Sequence, residues 1–213
     1  MTDATIHDFR ERLEWSSSLS DEGKWIDFYK RIWPSMVCAV RYDRNGWHQK
    51  HGIDREVSLQ NGRRILVDEK KREKDYGDVL LEIVSVGQYD QTARRMLSCE
   101  KPGWAVDQDK HCDFIAYAIL PTNRVYLLPF ELLRLATTRN FKQWRTGVDS
   151  SGRPAYPKVA KNRGYWTANL AVSWSTLRSG LIAEMQKTFD PNQGPLPVPV
   201  TFGEQDVFSW GKE

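Results

Sequence analysis

The stretch that decides the fold is GIDREVSLQNGRRILVDEKKR, residues 52–72. Two strand-like segments, 52–59 and 63–72, flank the tripeptide QNG, and Asn-Gly between such segments is the strongest short-range signal for a β-hairpin. The pattern therefore predicts a hairpin with a two-residue turn at Asn61 and Gly62. In that register Gln60 lies opposite Arg63, so every cross-strand pair of the hairpin follows.

One of these predicted pairs is chemically unusual, because Asp54 faces Glu69. Directly opposed side chains have Cβ atoms ~4.5–5.5 Å apart, where two like charges destabilise a sheet unless a positive group lies between them. Side chains alternate along a strand, so Lys71 shares the face of Glu69, whereas Asp68 lies on the other face and meets Arg55. The register thus predicts two carboxylates and an ammonium group on one face.

This combination suits hydrolysis of a phosphodiester. Mg²⁺ is commonly held by one or two carboxylates, with water and substrate phosphate oxygens completing its coordination. The ion activates water and offsets charge in the transition state, while a nearby lysine orients the water or stabilises the developing anion.

These residues resemble the PD-(D/E)XK nuclease superfamily, which includes many restriction endonucleases and Holliday-junction resolvases. The shortest matching motifs are GID (52–54) and DEKKR (68–72). The longer pattern, similar to uncharacterised phage and bacterial members, is QKHGID (49–54), NGRRILVDEKKR (61–72), GDVLLE (77–82), GW (103–104) and DFIAY (113–117). The resemblance covers roughly residues 25–135, and Gly52-Ile53 stands where the family name has Pro.

The resemblance implies a metal-dependent enzyme that hydrolyses DNA. Asp54 and Glu69 would be the metal ligands, together with the backbone carbonyl of Lys70, and Lys71 would be the catalytic lysine. The cofactor would be Mg²⁺, for which Mn²⁺ could substitute. A second frame, Asp68-Glu69-Lys70, also fits the D-x-K form of the motif, and only the hairpin register selects Glu69. A bulge at Gln60 would reverse that choice.

Other residues near the motif are weaker candidates for the site. Glu22 and Asp27 are candidates for the additional acid that the superfamily has on its first helix, although solvated helix charges explain them better. Glu82 and Gln49 are candidates for supporting the site, and Asp78 reads as a strand-start residue. His48 and His51 lack the further Cys or His residues of a zinc site.

A basic segment follows the motif region, at residues 139–163. Seven basic residues and one acid give it a net charge of +6, so the rest of the +3 chain carries −3. Phe141, Trp144 and Tyr156 are interspersed, a mixture that suits phosphate contacts and base stacking, although a solvated loop explains it nearly as well. The candidate nucleic-acid contacts are Arg139, Lys142, Arg145, Arg153, Lys158, Lys161 and Arg163.

The predicted fold is α/β, with a restriction-endonuclease-like core in which helices flank a mixed central sheet, and with a C-terminal extension. The predicted divisions are a core over residues 1–138, a basic loop plus strand and helix over 139–190, and an extended tail over 191–213. The predicted helices are 7–32 (broken at 16–20), 91–97, 129–137 and 175–187. The predicted strands outside the motif hairpin are 36–42, 79–86, 113–120, 124–128 and 165–174.

Composition places the chain among ordinary globular proteins. Of 213 residues, 40% are hydrophobic and 28% are charged, which excludes a disordered or low-complexity chain. No segment approaches the ~18 apolar residues of a membrane span, and Met1 to Arg12 lacks the features of a signal peptide. The three cysteines form neither a disulfide framework nor a zinc pattern, and Cys112 reads as a small buried thiol. The expected location is the cytoplasm of a bacterial or phage-infected cell.

Two other functions remain open. The chain could be a catalytically inactive nucleic-acid-binding or protein-binding module on the same fold, such as a phage accessory factor, or its substrate could be RNA. Many enzymes of this fold act as dimers, so a homodimer is also open.

Overall fold

The computed structural model describes residues 22–42, 46–93, 95–146 and 158–188. The helices of this part are α1 (Glu22–Ile32), α2 (Trp47–Lys50), α3 (Phe130–Thr146) and α4 (Trp174–Thr188). The strands are β1 (Met36–Arg41), β2 (Arg55–Leu59), β3 (Arg64–Arg72), β4 (Asp78–Asp90), β5 (Arg95–Pro102), β6 (Phe114–Ile119), β7 (Arg124–Pro129), β8 (Lys158–Lys161) and β9 (Trp166–Ser173). The predicted α/β class is confirmed.

The chain forms two compact units. Within the described ranges, the first unit runs to Tyr76 and resumes over Asp109–Glu131, and the second comprises Gly77–Gln108 and the residues from Leu132 onward. Each unit has its own sheet. None of the described helices is long and apolar enough to span a membrane.

The first unit contains a five-stranded mixed sheet of order β1-β2-β3-β6-β7. All neighbouring pairs are antiparallel except β3 and β6, which are parallel. Helix α1 packs on one face through Trp25, Phe28 and Tyr29, spaced as neighbours on one side of a helix. The sheet residues of this core are Val57, Ile65, Val67, Ala116 and Ala118. Because Val67 faces α1, Asp68 and Lys70 lie on the opposite face of β3, whereas Glu69 and Lys71 lie on the α1 face.

The second unit contains an antiparallel sheet of order β5-β4-β9-β8. Strand β4 is central, and its apolar residues Val79, Leu81 and Ile83 are buried. Helix α3 approaches α4 closely at Gly180, where an added Cβ would lie 2.7 Å from the Trp144 ring. The Ser173 hydroxyl accepts the N–H of Thr176 at 3.2 Å and so caps α4, two residues before the predicted cap at Ser175.

The turn of the β2–β3 hairpin differs from the prediction. Arg55 pairs with Val67 and Val57 with Ile65, so the loop contains three residues, 60–62. Its last residue, Gly62, has a left-handed φ of 80°. The Leu59 N–H donates to the Arg63 carbonyl at 2.9 Å, which closes the strands around this longer loop. The predicted two-residue turn is wrong because Gln60 joins the loop, and each cross-strand partner therefore moves by one residue.

Elsewhere the elements follow the predictions in most places. Strand β1, the β6–β7 hairpin, strand β9 and helix α4 are confirmed. The helix predicted over 91–97 is wrong, because β5 begins at Arg95 and pairs with β4. The loop predicted from Arg139 is also wrong, since α3 continues to Thr146. The predicted helix before Glu22 and the predicted tail lie outside the described residues.

Candidate metal centre

Asp54 and Asp68 form a close acid pair in the first unit. Asp54 directly precedes β2, and Asp68 lies on the face of β3 that points away from α1. The two side chains share a hydrogen bond, and the Glu69 N–H donates to Asp54 Oδ2 at 2.8 Å. Asp68 is 1% exposed. The structure therefore brings Asp54 to Asp68 and not to Glu69.

The acid pair has one carboxyl group whose pKa lies near neutral pH. Burial and the negative charge of Asp68 raise the pKa of Asp54 to about 7. Burial acts in the same direction on Asp68, but the positive charges of Lys70 and Lys110 outweigh it and lower the pKa of Asp68. The protonated Asp54 carboxyl consequently donates to the Asp68 carboxylate.

Two lysines contact Asp68. Lys70 Nζ lies 2.7 Å from Oδ1, and Lys110 Nζ lies 2.6 Å from Oδ2. Their side chains differ in exposure, at 30% for Lys70 and 5% for Lys110. The Lys110 ammonium also lies 3.5 Å from the Gly52 carbonyl and 6.0 Å from the centre of the Phe130 ring. Lys70 is thus partly exposed, while Lys110 is a buried cation.

Gly52 makes room for the buried cation. It has a φ of 65°, and a Cβ at this position would overlap the Lys110 ammonium group. Any other residue would therefore combine backbone strain with a clash. The glycine of the GID motif has this physical role in the structure.

Glu69 belongs to a separate cluster on the α1 face. It accepts hydrogen bonds from Tyr29 Oη at 2.9 Å and from Arg55 Nε at 2.6 Å. The Arg55 side chain is fully buried, and its other two nitrogens donate to the Glu22 carboxylate at 2.6 and 2.8 Å. Hydrogen bonding to Arg55 lowers the pKa of Glu22 despite partial burial. Glu22 therefore contacts Arg55, and Glu69 is held in an ion-pair network.

Lys71, the lysine that the predicted register selected, also lies on the α1 face. Together with Lys24, Arg31 and Asp27 it lines a cavity of about 150 Å³ beside α1. Neither Lys71 nor Asp27 is found with the acid pair. The structure instead places Lys70 on Asp68, in the Asp68-Glu69-Lys70 frame.

The remaining predicted supporting residues lie at different places. Gln49 is exposed on α2, five residues before Asp54. Glu82 belongs to the second unit, where its Oε2 accepts the N–H of Trp104 at 3.4 Å. Asp78 is the first residue of β4, as predicted. Cys112 is buried, and burial raises the pKa of its thiol to about 12, as expected of an unreactive cysteine.

The donor set suits a hard divalent cation. Among the described residues, no group of three or more His, Cys, Asp and Glu side chains could hold a metal ion. Asp54 and Asp68 offer two carboxylates, and Mg²⁺ is often bound by one or two carboxylates with the remaining positions taken by water and substrate phosphate. The negative charge of Asp68 disfavours ionisation of Asp54, and a bound cation would offset that repulsion.

The basic segment contributes helix and strand positions of the second unit. Arg139 forms an ion pair with the buried Glu184, and Lys142 is exposed on α3. Lys161 Nζ lies 5.8 Å from the centre of the Trp166 ring. Phe141 and Trp144 are each only 6% exposed, so their predicted stacking on bases is wrong.

The other predicted nucleic-acid contacts are placed as follows. Arg145 lies in the last turn of α3, Lys158 begins β8, and Arg163 is exposed in the turn after β8. Arg153 and Tyr156 lie outside the described residues. Binding of nucleic acid by this segment stays a prediction.

No protein-family model, curated protein or solved structure matches the chain. Function is therefore inferred from the geometry of the first unit.

Proposed function

We propose that the protein is a metal-dependent nuclease of the PD-(D/E)XK type that hydrolyses DNA phosphodiester bonds. The acid pair is Asp54 and Asp68, and the catalytic lysine is Lys70. The observation that carries this proposal is the hairpin register that sets Asp54 opposite Asp68, with Lys70 Nζ 2.7 Å from Asp68 Oδ1. This arrangement matches the D-x-K form of the motif, with Lys70 as its lysine and not Lys71, the residue first predicted.

The sheet around the acid pair supports the same conclusion. The resemblance implies a mixed sheet flanked by helices. The sheet of the first unit is mixed, with β3 and β6 parallel, and α1 packs on one of its faces. Asp54 directly precedes β2, and Asp68 lies within β3, which is hydrogen-bonded to β2. The Asp54 N–H donates to the Val67 carbonyl at 2.9 Å, so the backbone pairing of the two strands continues through Asp54.

Asp54 and Asp68 would hold Mg²⁺, or Mn²⁺ in its place. In the D-x-K frame the main-chain carbonyl of the middle residue, Glu69, would take the ligand role first assigned to that of Lys70. Bound there, the cation would supply an activated water and charge compensation for the phosphoryl oxygens. Asp54 must lose its proton for binding, while Asp68 is already ionised.

Lys70 is suited to act on substrate. Its ammonium is anchored to Asp68 Oδ1 yet its side chain remains 30% exposed, so it can contact a phosphate oxygen or the attacking water. A fixed positive charge beside the developing anion lowers the barrier because it needs no reorganisation during the reaction.

Lys110 acts as a positioning residue. Its buried ammonium neutralises Asp68 Oδ2 and contacts the Gly52 carbonyl, two residues before Asp54. It therefore ties β3 to the segment that carries Asp54. At 5% side-chain exposure it cannot reach a substrate in solution without rearrangement.

The two neighbouring lysines give a matched test. Lys70→Ala and Lys71→Ala each remove one ammonium group from β3, but on opposite faces. Supercoiled plasmid, linear duplex, single-stranded and branched DNA would be incubated with each variant and Mg²⁺ or Mn²⁺. We expect Lys70→Ala to lose cleavage by about 100-fold or more, in line with the loss of one electrostatic donor, and Lys71→Ala to retain it.

Two results would contradict the proposal. One is full cleavage by Lys70→Ala with an unchanged melting temperature. The other is calorimetry in which Asp54→Asn binds Mg²⁺ as tightly as the original chain. RNA in the same incubations tests the alternative substrate.

An inactive binding module is the second candidate, and one observation favours it. Both Asp68 oxygens already contact lysines, so the cluster could serve as a buried ion network that stabilises the sheet. Such a module would bind DNA or protein without Mg²⁺, and Asp54→Asn would leave that binding unchanged.

A further inference from the structure

Three ring side chains form a partly exposed cluster in the first unit, which we call the ring cluster: Trp47, His51 and His111. The Trp47 and His51 rings are stacked, with centroids 4.2 Å apart and planes 28° from parallel. The His111 ring lies 5.5 Å from Trp47 and 4.9 Å from His51. Each ring therefore contacts the other two.

Main-chain contacts hold the ring cluster in place. Helix α2 is a single turn, and His51 follows it, with its Nδ1 2.7 Å from the Trp47 carbonyl. The His111 N–H donates to the His51 carbonyl at 3.0 Å, which joins two segments that are 60 residues apart in the chain. The cluster is consequently a built surface feature and not a set of independent side chains.

The same two segments carry Asp54 and Lys110, and Lys110 contacts Asp68. His51 is followed by Gly52, and His111 is preceded by Lys110, whose ammonium contacts both the Gly52 carbonyl and Asp68. Three peptide units separate His51 from Asp54, so their Cα atoms are at most ~11 Å apart. A nucleic acid with a phosphate at the acid pair would therefore pass close to the rings.

Trp47 is unusually open to solvent for its size. Its exposed fraction is 55%, although tryptophan is highly buried on average. A packing role would cover this ring, whereas a stacking role needs a free ring surface. Aromatic rings of this kind bind nucleobases, because every base has a π face.

We propose that the ring cluster stacks an unpaired nucleobase next to the phosphate that is cleaved, and so directs the enzyme to DNA with single-stranded segments. The substrate preference rests on the proposed nuclease function. Inside a duplex both faces of each base contact neighbouring bases. Only an unpaired or terminal base offers a face to Trp47.

Binding without cleavage isolates the stacking contribution. The full chain would be titrated in EDTA into two fluorescein-labelled probes, a short oligothymidylate and a long linear duplex in which terminal bases are a small fraction of the binding sites, and followed by anisotropy. The variants are Trp47→Leu, which removes the π face, Trp47→Phe, which keeps one, and Tyr76→Ala. Tyr76 is a matched control because it is 53% exposed in the same unit.

We expect Trp47→Leu to weaken oligothymidylate binding about tenfold while leaving duplex binding unchanged, since the variant loses the stacking of a base on the aromatic ring. Trp47→Phe should retain most of the affinity, and Tyr76→Ala all of it. If Trp47→Leu does not fold, the ratio of the affinities for the two probes in His51→Ala decides instead, and the affinity for oligothymidylate should fall relative to that for the duplex. Unchanged oligothymidylate binding, or equal weakening on both probes, overturns the inference.

Cleavage is measured separately, so the two proposals can fail independently. Mg²⁺-dependent cleavage that is equally fast on single-stranded and duplex DNA, in both the original chain and Trp47→Leu, would overturn the stacking inference alone. Trp47-dependent binding of oligothymidylate without any cleavage would overturn the nuclease function alone.

Discussion

The side chains of Asp54 and Asp68 lie together in the first unit, and Asp54 is the carboxyl of the pair whose pKa is raised. The proton resides on Asp54 because Lys70 and Lys110 both stabilise the negative charge of Asp68, whereas burial disfavours a second charge on Asp54. The pair therefore titrates as two unequal groups, one ionised at all ordinary pH values and one exchanging its proton near neutrality.

The metal-free protein should lose stability as the pH rises towards 7. The pKa of Asp54 is about 7 in the folded chain and near its ordinary value of 3.8 when unfolded. Between these values the folded state binds one more proton, so the free energy of unfolding falls by up to about 1.4 kcal/mol per pH unit. Asp54→Asn lacks this titration. Its melting temperature relative to the original chain should rise from pH 4.5 to 7 and then level off.

Urea unfolding in EDTA at several pH values gives the same comparison as free energies. Asp107→Asn is a suitable control, since Asp107 is a partly exposed acid of the second unit. A constant difference between Asp54→Asn and the original chain across this pH range would show that Asp54 is ionised throughout.

Binding of Mg²⁺ should release protons below neutral pH. The cation needs both carboxylates ionised, and Asp54 holds a proton until the pH passes about 7. The affinity for Mg²⁺ should therefore fall up to tenfold per unit below pH 7 and become constant above it. Titration calorimetry at pH 6 in two buffers with different ionisation enthalpies measures the released protons. A value near one is expected at pH 6 and near zero at pH 8.5.

The hairpin itself was predictable, but its register was not. Asn61-Gly62 between apolar segments locates the turn, yet Ile65, Leu66 and Val67 are all apolar, so hydrophobic alternation does not indicate which face of β3 meets α1. The choice depends on whether Gln60 belongs to the strand or to the loop. Since one residue of slip exchanges the faces, the acid partner of Asp54 and the catalytic lysine both moved by one position.

No local pattern in the sequence indicates that Lys110 contacts Asp68. It reaches Asp68 from 42 residues further along the chain, and only the tertiary fold brings it there. Helix α3 differs in this respect, because Leu133, Ala136, Phe141 and Trp144 are buried at helical spacing. That periodicity is a signal for the full length of α3. Basic residues lie between the apolar positions, and the predicted helix therefore ended at residue 137.

Removing the buried cation from Asp68 should destabilise the first unit strongly. Lys110→Met keeps the side-chain length but leaves Asp68 Oδ2 without its charge partner, in a place where both side chains are at most 5% exposed. Breaking a buried ion pair costs about 3–5 kcal/mol, and the remaining contact with Lys70 favours the lower end. Urea unfolding of Lys110→Met and Lys70→Met tests this. The Lys70 variant should lose less, because its ammonium is partly exposed.

Arg55 should contribute more to stability than either of its acidic partners alone. Arg55→Met removes a fully buried guanidinium and leaves Glu69, at 9% side-chain exposure, with Tyr29 as its remaining hydrogen-bond partner among those described above. The expected cost is about 3–5 kcal/mol. Glu22→Gln should cost under about 1 kcal/mol, because the Glu22 side chain is 50% exposed and solvent screens its charge.

The double variant Arg55→Met with Glu69→Gln separates charge from packing. If the cost of Arg55→Met comes from an uncompensated carboxylate, the second substitution should restore part of the lost free energy of unfolding, and the two changes will not be additive. If the costs simply add, Arg55 stabilises the sheet through the packing of its side chain against Tyr29, whose ring centre lies 5.8 Å from the guanidinium carbon. Urea unfolding of the two single variants and the double variant decides between these explanations.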